Sequence, residues 1–271
     1  MKKQKYLHGF DRTEQERLLY QADFLEPYIY SGVELSNINH LLEVGCGVGA
    51  QTQILLRRFP KIKIDGVDLS SAQLEMAKVF LQDPIRKKKV QLFQQNAEEL
   101  NLPKKGKYDA AFLCWFLEHV PKPLEVLKRV RQHLKPGSEI YCTEVFNQSL
   151  FMDPYSPAYL NYWFQFNDYQ WSIKGHPCVG AQLGNLLKAA GFVDIKLEVK
   201  PFLFDSRSPK QRAEFIDYFF DILLSAQKTL LAEKRVNETQ IKQMKKEVEI
   251  VKKTKDSVFF YAAMRATAKV P

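Results

Sequence analysis

Asn39-His-Leu-Leu-Glu-Val-Gly-Cys-Gly-Val-Gly-Ala-Gln-Thr52 joins two unlike halves. Leu41, Leu42 and Val44 make a short apolar run of the kind that forms a buried parallel strand, and the alternating Gly45, Gly47 and Gly49 make a turn that opens a helix. Such glycines let the backbone turn sharply and let a ligand approach it with no Cβ in the way. Strand, glycine loop and helix start, in that order, predict a nucleotide-type site. Gly45-Cys-Gly-Val-Gly-Ala50 fits the dinucleotide fingerprint, whose last position accepts Ala. Glu43, two residues before the first glycine, would repel a pyrophosphate but attract a cation, so it points to a positively charged ligand. The rival reading is a glycine-rich turn of an ordinary α/β domain.

Working outward, residues 51–58 read as a helix ended by Pro60, and residues 61–68 as the second strand. Asp68 follows Gly49 by nineteen residues. It falls at the end of the next parallel strand, where its two oxygens can accept from both hydroxyls of a ribose. It equally suits a turn or an N-cap before Leu69-Ser70. Residues 71–81 form an amphipathic helix, 90–95 the third strand and 108–116 a fourth strand buried on both faces. Residues 124–134 are a helix closed by Lys135-Pro-Gly137, and 139–145 the fifth strand. This alternation predicts an open, doubly wound parallel sheet with its ligand crevice at the strand C-termini, where Gly45, Asp68, Asn96, Cys114 and Glu144 fall.

Glu43-Val-Gly-Cys-Gly-Val-Gly49 resembles the first motif of class I S-adenosylmethionine (SAM)-dependent methyltransferases. Leu113-Cys-Trp-Phe-Leu-Glu-His-Val120, followed by Pro121 and Pro123, resembles the fourth motif of their small-molecule branch, related to the ubiquinone and menaquinone enzymes (methyltransferase types 11 and 25). Tyr6-Leu-x-Gly9 and Arg17-Leu-x-x-Gln-Ala22 look like an N-terminal helix that closes over the cofactor. The resemblance covers residues 6–204 and the final strand. It implies an α/β, doubly wound, mostly parallel seven-stranded Rossmann-like sheet with an antiparallel last strand and helical lid insertions. It also implies SAM as cofactor, S-adenosylhomocysteine as product, and cofactor contacts from Tyr6, Gln21, Glu43, Gly45, Gly47, Gly49, Asp68, Leu69, Asn96, Ala97, Cys114, Trp115 and His119. In it Asn96 meets the adenine, although a turn Asn is the plain alternative. Enzymes that methylate adenine amines carry Asn- or Asp-Pro-Pro-aromatic after the fourth strand, and cytosine C5 enzymes place Pro before the attacking Cys. Leu113 precedes Cys114 here, and neither signature is present.

The additions to a minimal fold divide one domain, 1–271, into four parts. These are an N-terminal helical lid (1–34), a SAM-binding core (35–145), an aromatic insertion (146–179) and a helical hairpin (206–256) before the last strand. In the lid, Thr13 and Glu16 have capping-box spacing, Leu18, Ala22, Leu25 and Ile29 form an apolar stripe, and Arg17 and Gln21 share a neighbouring face. The insertion holds ten aromatics. Phe146, Tyr159, Trp163 and Phe166 are the expected acceptor wall, with core packing as the alternative use of any one of them. In the hairpin, Ser208, Pro209 and Gln211 predict a capped apolar helix running to near residue 231, and Asn237 with Gln240 a second capping box. Residues 180–190 are a helix, and 192–204 a strand that pairs antiparallel with the last one.

A chain of 271 residues with 45% hydrophobic content can bury a full core. Its four cysteines are scattered, which argues against a zinc site and a disulfide framework. No stretch reads as a signal peptide or a membrane span, so the expected compartment is the cytoplasm with no membrane partner. The net charge of +9 is interleaved with acidic residues, as on a solvated face, which argues against a nucleic-acid partner. The expected reaction is methyl transfer to a small-molecule acceptor by in-line displacement. It needs no metal and little side-chain chemistry, with Glu144, His119 and His176 as candidate bases. The competing readings are an RNA or protein methyltransferase and a non-catalytic SAM-binding regulator. Oligomeric state is not legible.

Overall fold

The computed structural model describes residues 12–103 and 106–271. In chain order the elements are α1 (Arg12–Ile29), β1 (His40–Val44), α2 (Ala50–Arg58), β2 (Lys63–Asp68), α3 (Ser71–Phe80), α4 (Gln82–Arg86), β3 (Val90–Gln94), β4 (Tyr108–Cys114) and α5 (Pro123–His133). There follow β5 (Leu134–Val145), β6 (Phe151–Asp153), α6 (Pro157–Ser172), α7 (Val179–Ala189), β7 (Val193–Phe204), α8 (Pro209–Ser225), α9 (Gln227–Ala232), α10 (Glu238–Lys253) and β8 (Val258–Lys269).

The strands form one sheet in the order β3-β2-β1-β4-β5-β8, continued by β7 and β6, which both pair with β8. The first five are mutually parallel, and β8 runs antiparallel to β5, β6 and β7. Strand order reverses between β1 and β4, so the crevice of a doubly wound sheet opens above those two ends. The sheet has eight strands rather than the expected seven, because Phe151–Asp153 of the aromatic insertion takes up the edge of β8 beyond β5. Lys135-Pro-Gly137 is absorbed into β5, whose pairing with β4 shifts between Tyr108 and Ala110.

Alternation along the strands sorts side chains into two cores. Leu41, Ile64, Ala110 and Phe112 face α1, α2 and the aromatic segments. Leu42, Val67, Ala111 and Leu113 face α5 and α7. The expected stripe on α1 is buried at Ala22, Leu25 and Ile29. Thr13 lies inside α1 rather than at its N-cap, and its side chain is outside the described residues, as is all of Tyr6.

The hairpin differs from expectation in two respects. Ser208 makes no capping hydrogen bond, although Pro209 does open α8, and the apolar helix stops at Ser225 before resuming as α9. The capping box of Asn237 and Gln240 forms on α10. Buried Glu247 of α10 then accepts from the N–H groups of Ala158 and Tyr159 (2.8 and 3.0 Å), satisfying two orphan donors at the start of α6. Arg212 of α8 is buried and donates to the carbonyls of Thr254, Lys255 and Ser257 just past α10. Aromatic insertion and hairpin are thereby latched into one cap over the sheet.

Candidate active site

The glycine loop is tied to the neighbouring strand. The N–H groups of Gly45 and Cys46 both donate to the carbonyl of Val67 (2.8 and 3.0 Å). Gly45 has φ +77°, and a Cβ there would stand 2.2 Å from the ring of Phe116. Only glycine lets the loop after β4 close over the loop after β1. Asp68 takes the turn role and also ties down the glycine loop: Oδ2 accepts from Gly47 N–H (2.9 Å) and Oδ1 from Ser70 N–H (2.8 Å). Burial pushes its carboxyl above the usual carboxylate range, opposed by the backbone N–H donors of Ser70, Gly47 and Leu69. Asn96 likewise makes a turn, accepting from Glu98 N–H (3.0 Å).

Glu43 is a correction. It lies on the Leu41 face of β1, toward α2, where Thr52 Oγ1 donates to its Oε2 at 2.7 Å. It is buried, and desolvation pushes its carboxyl up to about 8. It steadies the start of α2 from beneath the loop and does not line the crevice.

At the end of β4, Trp115 adopts φ +53°, a left-handed conformation that costs a non-glycine residue about 1–3 kcal/mol. Its N–H donates to Thr143 O (2.9 Å), while its indole Nε1 is buried with no hydrogen-bond partner. Glu144 holds the following turn, its Oε1 accepting from the N–H groups of Phe116 and Leu117 (3.0 and 2.7 Å). Burial, reinforced by the charge of Glu118, pushes the Glu144 carboxyl up to about 8.

Two adjoining cavities open over the strand ends. The larger, about 630 Å³, is lined by Gln21, Gly45, Gly47, Asp68, Leu69, Asn96, Ala97, Cys114, Trp115 and His119, which are ten of the thirteen expected cofactor residues. Gly49 lies outside it, forming the left-handed N-cap of α2. The smaller, about 100 Å³, shares Leu18, Gln21, Trp115 and His119 with the larger and extends into aromatic side chains. Of the four expected acceptor residues, Trp163 and Phe166 line it. Phe146 and Tyr159 do not; Tyr159 is fully buried in the core.

Two of the three candidate bases face neither cavity. Glu144 is committed to its turn, and His176 packs on Trp171 (4.3 Å between ring centroids) with Nδ1 accepting from Cys178 N–H (3.2 Å). His119 lines both cavities. The smaller cavity also takes Glu118, Asn147, Tyr218, Phe219 and Tyr261, none of which was singled out for the site. Glu118 was visible inside the fourth motif beside His119. The others come from α8, β8 and the turn after β5, with no local pattern to mark them.

Residues 14–197 match the profile of a family described as a methyltransferase domain. Demethylmenaquinone methyltransferase of Lactococcus lactis is 30% identical over 174 residues, covering 58% of this chain and 67% of that protein. Ubiquinone biosynthesis O-methyltransferase of Nitrosococcus oceani is 33% identical over 115 residues, covering 42% of this chain and 46% of that one. The chain thus spans two thirds of the first and less than half of the second. Among solved structures, phosphoethanolamine N-methyltransferase 2 of Haemonchus contortus superposes with a TM-score of 0.56 at 18% identity, over 93% of this chain and 52% of that one. Matched through more than half its length, and folded as that likeness requires, this chain belongs to the methyltransferase domain family, within the class I SAM-dependent superfamily.

Proposed function

We propose that the chain is a SAM-dependent methyltransferase whose acceptor is a compact small molecule. The observation that carries this reading is the pair of adjoining cavities: a larger one walled by the glycine loop, Asp68 and Asn96, and a smaller aromatic one reached past Trp115 and His119.

The larger cavity has the volume of a pocket for a drug-sized ligand. Its wall fits SAM in kind. Asp68 supplies carboxylate oxygens suited to ribose hydroxyls, Asn96 an amide suited to a base edge, and Trp115 an indole N–H with nothing yet to donate to. Bound there, SAM supplies a methyl group already activated on a sulfonium. What remains for the protein is to orient the acceptor and exclude water. In this reading Leu18 and Gln21 make α1 a lid over both cavities, Trp115 stands between them, and the apolar walls of the smaller one exclude water.

Among the described residues the wall of the smaller cavity carries one arginine, Arg17, and no lysine, too few cations to hold a phosphate backbone, which supports a small acceptor over RNA. In a cell extract, radiolabelled methyl from SAM is expected in a low-molecular-weight fraction, unaffected by nuclease pretreatment. Label in nuclease-sensitive material would replace this reading by the RNA enzyme.

A further inference from the structure

Resting on that reading, we propose that the acceptor is an amine carrying a compact apolar body, with Glu118 as the residue that selects it. The smaller cavity is a box of ring faces and edges. Trp163 stacks on Phe166 (centroids 5.7 Å, planes 3° apart), Tyr261 meets Trp163 edge-on at 90°, and Phe219 packs on Tyr261 at 4.7 Å. Into this apolar box the turn after β4 places a carboxylate, Glu118, only 8% exposed. Its Oε2 accepts from Gln170 Nε2 at 2.8 Å, which fixes the group in place. Its Oε1 faces His119 Nε2 at 3.6 Å, beyond hydrogen-bond range, so that oxygen keeps its capacity to accept.

Arg17, also on the wall, donates from Nη1 to Gln21 Oε1 at 2.7 Å, and its charge reaches Tyr218 and Asp221 of α8. The box therefore offers a cation two kinds of stabilisation, ring faces and a desolvated carboxylate. To an anion beside it, the Glu118 carboxylate offers repulsion.

That asymmetry separates the classes of methyl acceptor. When a neutral amine nitrogen attacks, its lone pair forms the new N–C bond, the C–S bond breaks with its electron pair left on sulfur, and the positive charge moves from sulfur to nitrogen. A phenolate or enolate would instead have to enter as an anion and cancel the charge. Only the first route delivers a cation into the smaller cavity, where Glu118 and the rings stabilise it. An amine that enters protonated gives up one proton first, and His119, on the wall shared by both cavities, is placed to take it.

Calorimetry on the full chain saturated with S-adenosylhomocysteine tests this, with phenyltrimethylammonium and benzoate as probes of similar size and opposite charge. The cation is expected to bind at least about tenfold more tightly than the anion, and Glu118→Gln to remove most of that preference. Benzoate binding as tightly as the cation, or a preference for the cation untouched by Glu118→Gln, would overturn the proposal. Should the variant not fold, the two probes on the unaltered chain decide alone. A chain that binds S-adenosylhomocysteine but prefers benzoate loses only this proposal; one that binds no S-adenosylhomocysteine loses the methyltransferase reading as well.

Discussion

Glu43 shows how much a single carboxyl depends on the face it occupies. Its place two residues before the glycine loop suggests a contact with the ligand, but strand alternation turns it toward α2 and Thr52 instead. Sequence distance reports nearness to the loop and is silent about which side of the strand is used. The burial that follows has a consequence for stability. The folded-state pKa is raised from 4.5 to about 8, so between those values the folded chain holds a proton that the unfolded chain has lost. The proton-linked stability is fully present below about pH 4.5 and is lost as pH rises through about 8, on the order of a few kcal/mol in all. Glu43→Gln mimics the protonated form and keeps an acceptor for Thr52. Its melting temperature is expected to fall less than that of the unaltered chain between pH 6 and 9, and parallel curves would show that Glu43 does not titrate there. Glu144 carries a similar shift but is present in both proteins, so the difference isolates Glu43.

Among the elements, α1 reaches both cavities through Leu18 and Gln21. Its buried stripe of Ala22, Leu25 and Ile29 was legible from helical periodicity, as was the neighbouring face that sets Gln21 over the crevice. Contacts from Gln15 to Gln73 (3.3 Å) and Ala72 (3.5 Å) rest its first turns on the start of α3. A first turn resting on polar contacts of this kind opens locally at lower cost than a packed core. Amide exchange across residues 15–25 is expected to slow when S-adenosylhomocysteine is added. Equal rates in both states would make α1 a packing helix rather than a lid. The aromatic insertion and hairpin were less legible. Their composition announced an apolar cap, but the latch of Glu247 on α6 joins residues nearly ninety positions apart, and no local pattern encodes it.

At the scale of the whole molecule, the doubly wound sheet was readable because each strand and helix carries its own period and its own breakers. Gly45, Asp68, Asn96 and Cys114 follow from that topology, since a parallel sheet gathers its strand ends on one side. The smaller cavity follows from no such rule. Trp115, Trp163, Tyr218 and Tyr261 reach it from the turn after β4, α6, α8 and β8, and only the folded chain brings them together. The central claim, that the larger cavity is a SAM site with Asp68 in its wall, has a direct measurement. Titration calorimetry with S-adenosylhomocysteine is expected to show saturable one-to-one binding, weakened by about 1.5–3 kcal/mol, or roughly ten- to a hundredfold, in a folded Asp68→Ala variant. No binding to the unaltered chain, or an affinity unchanged by Asp68→Ala, would contradict it.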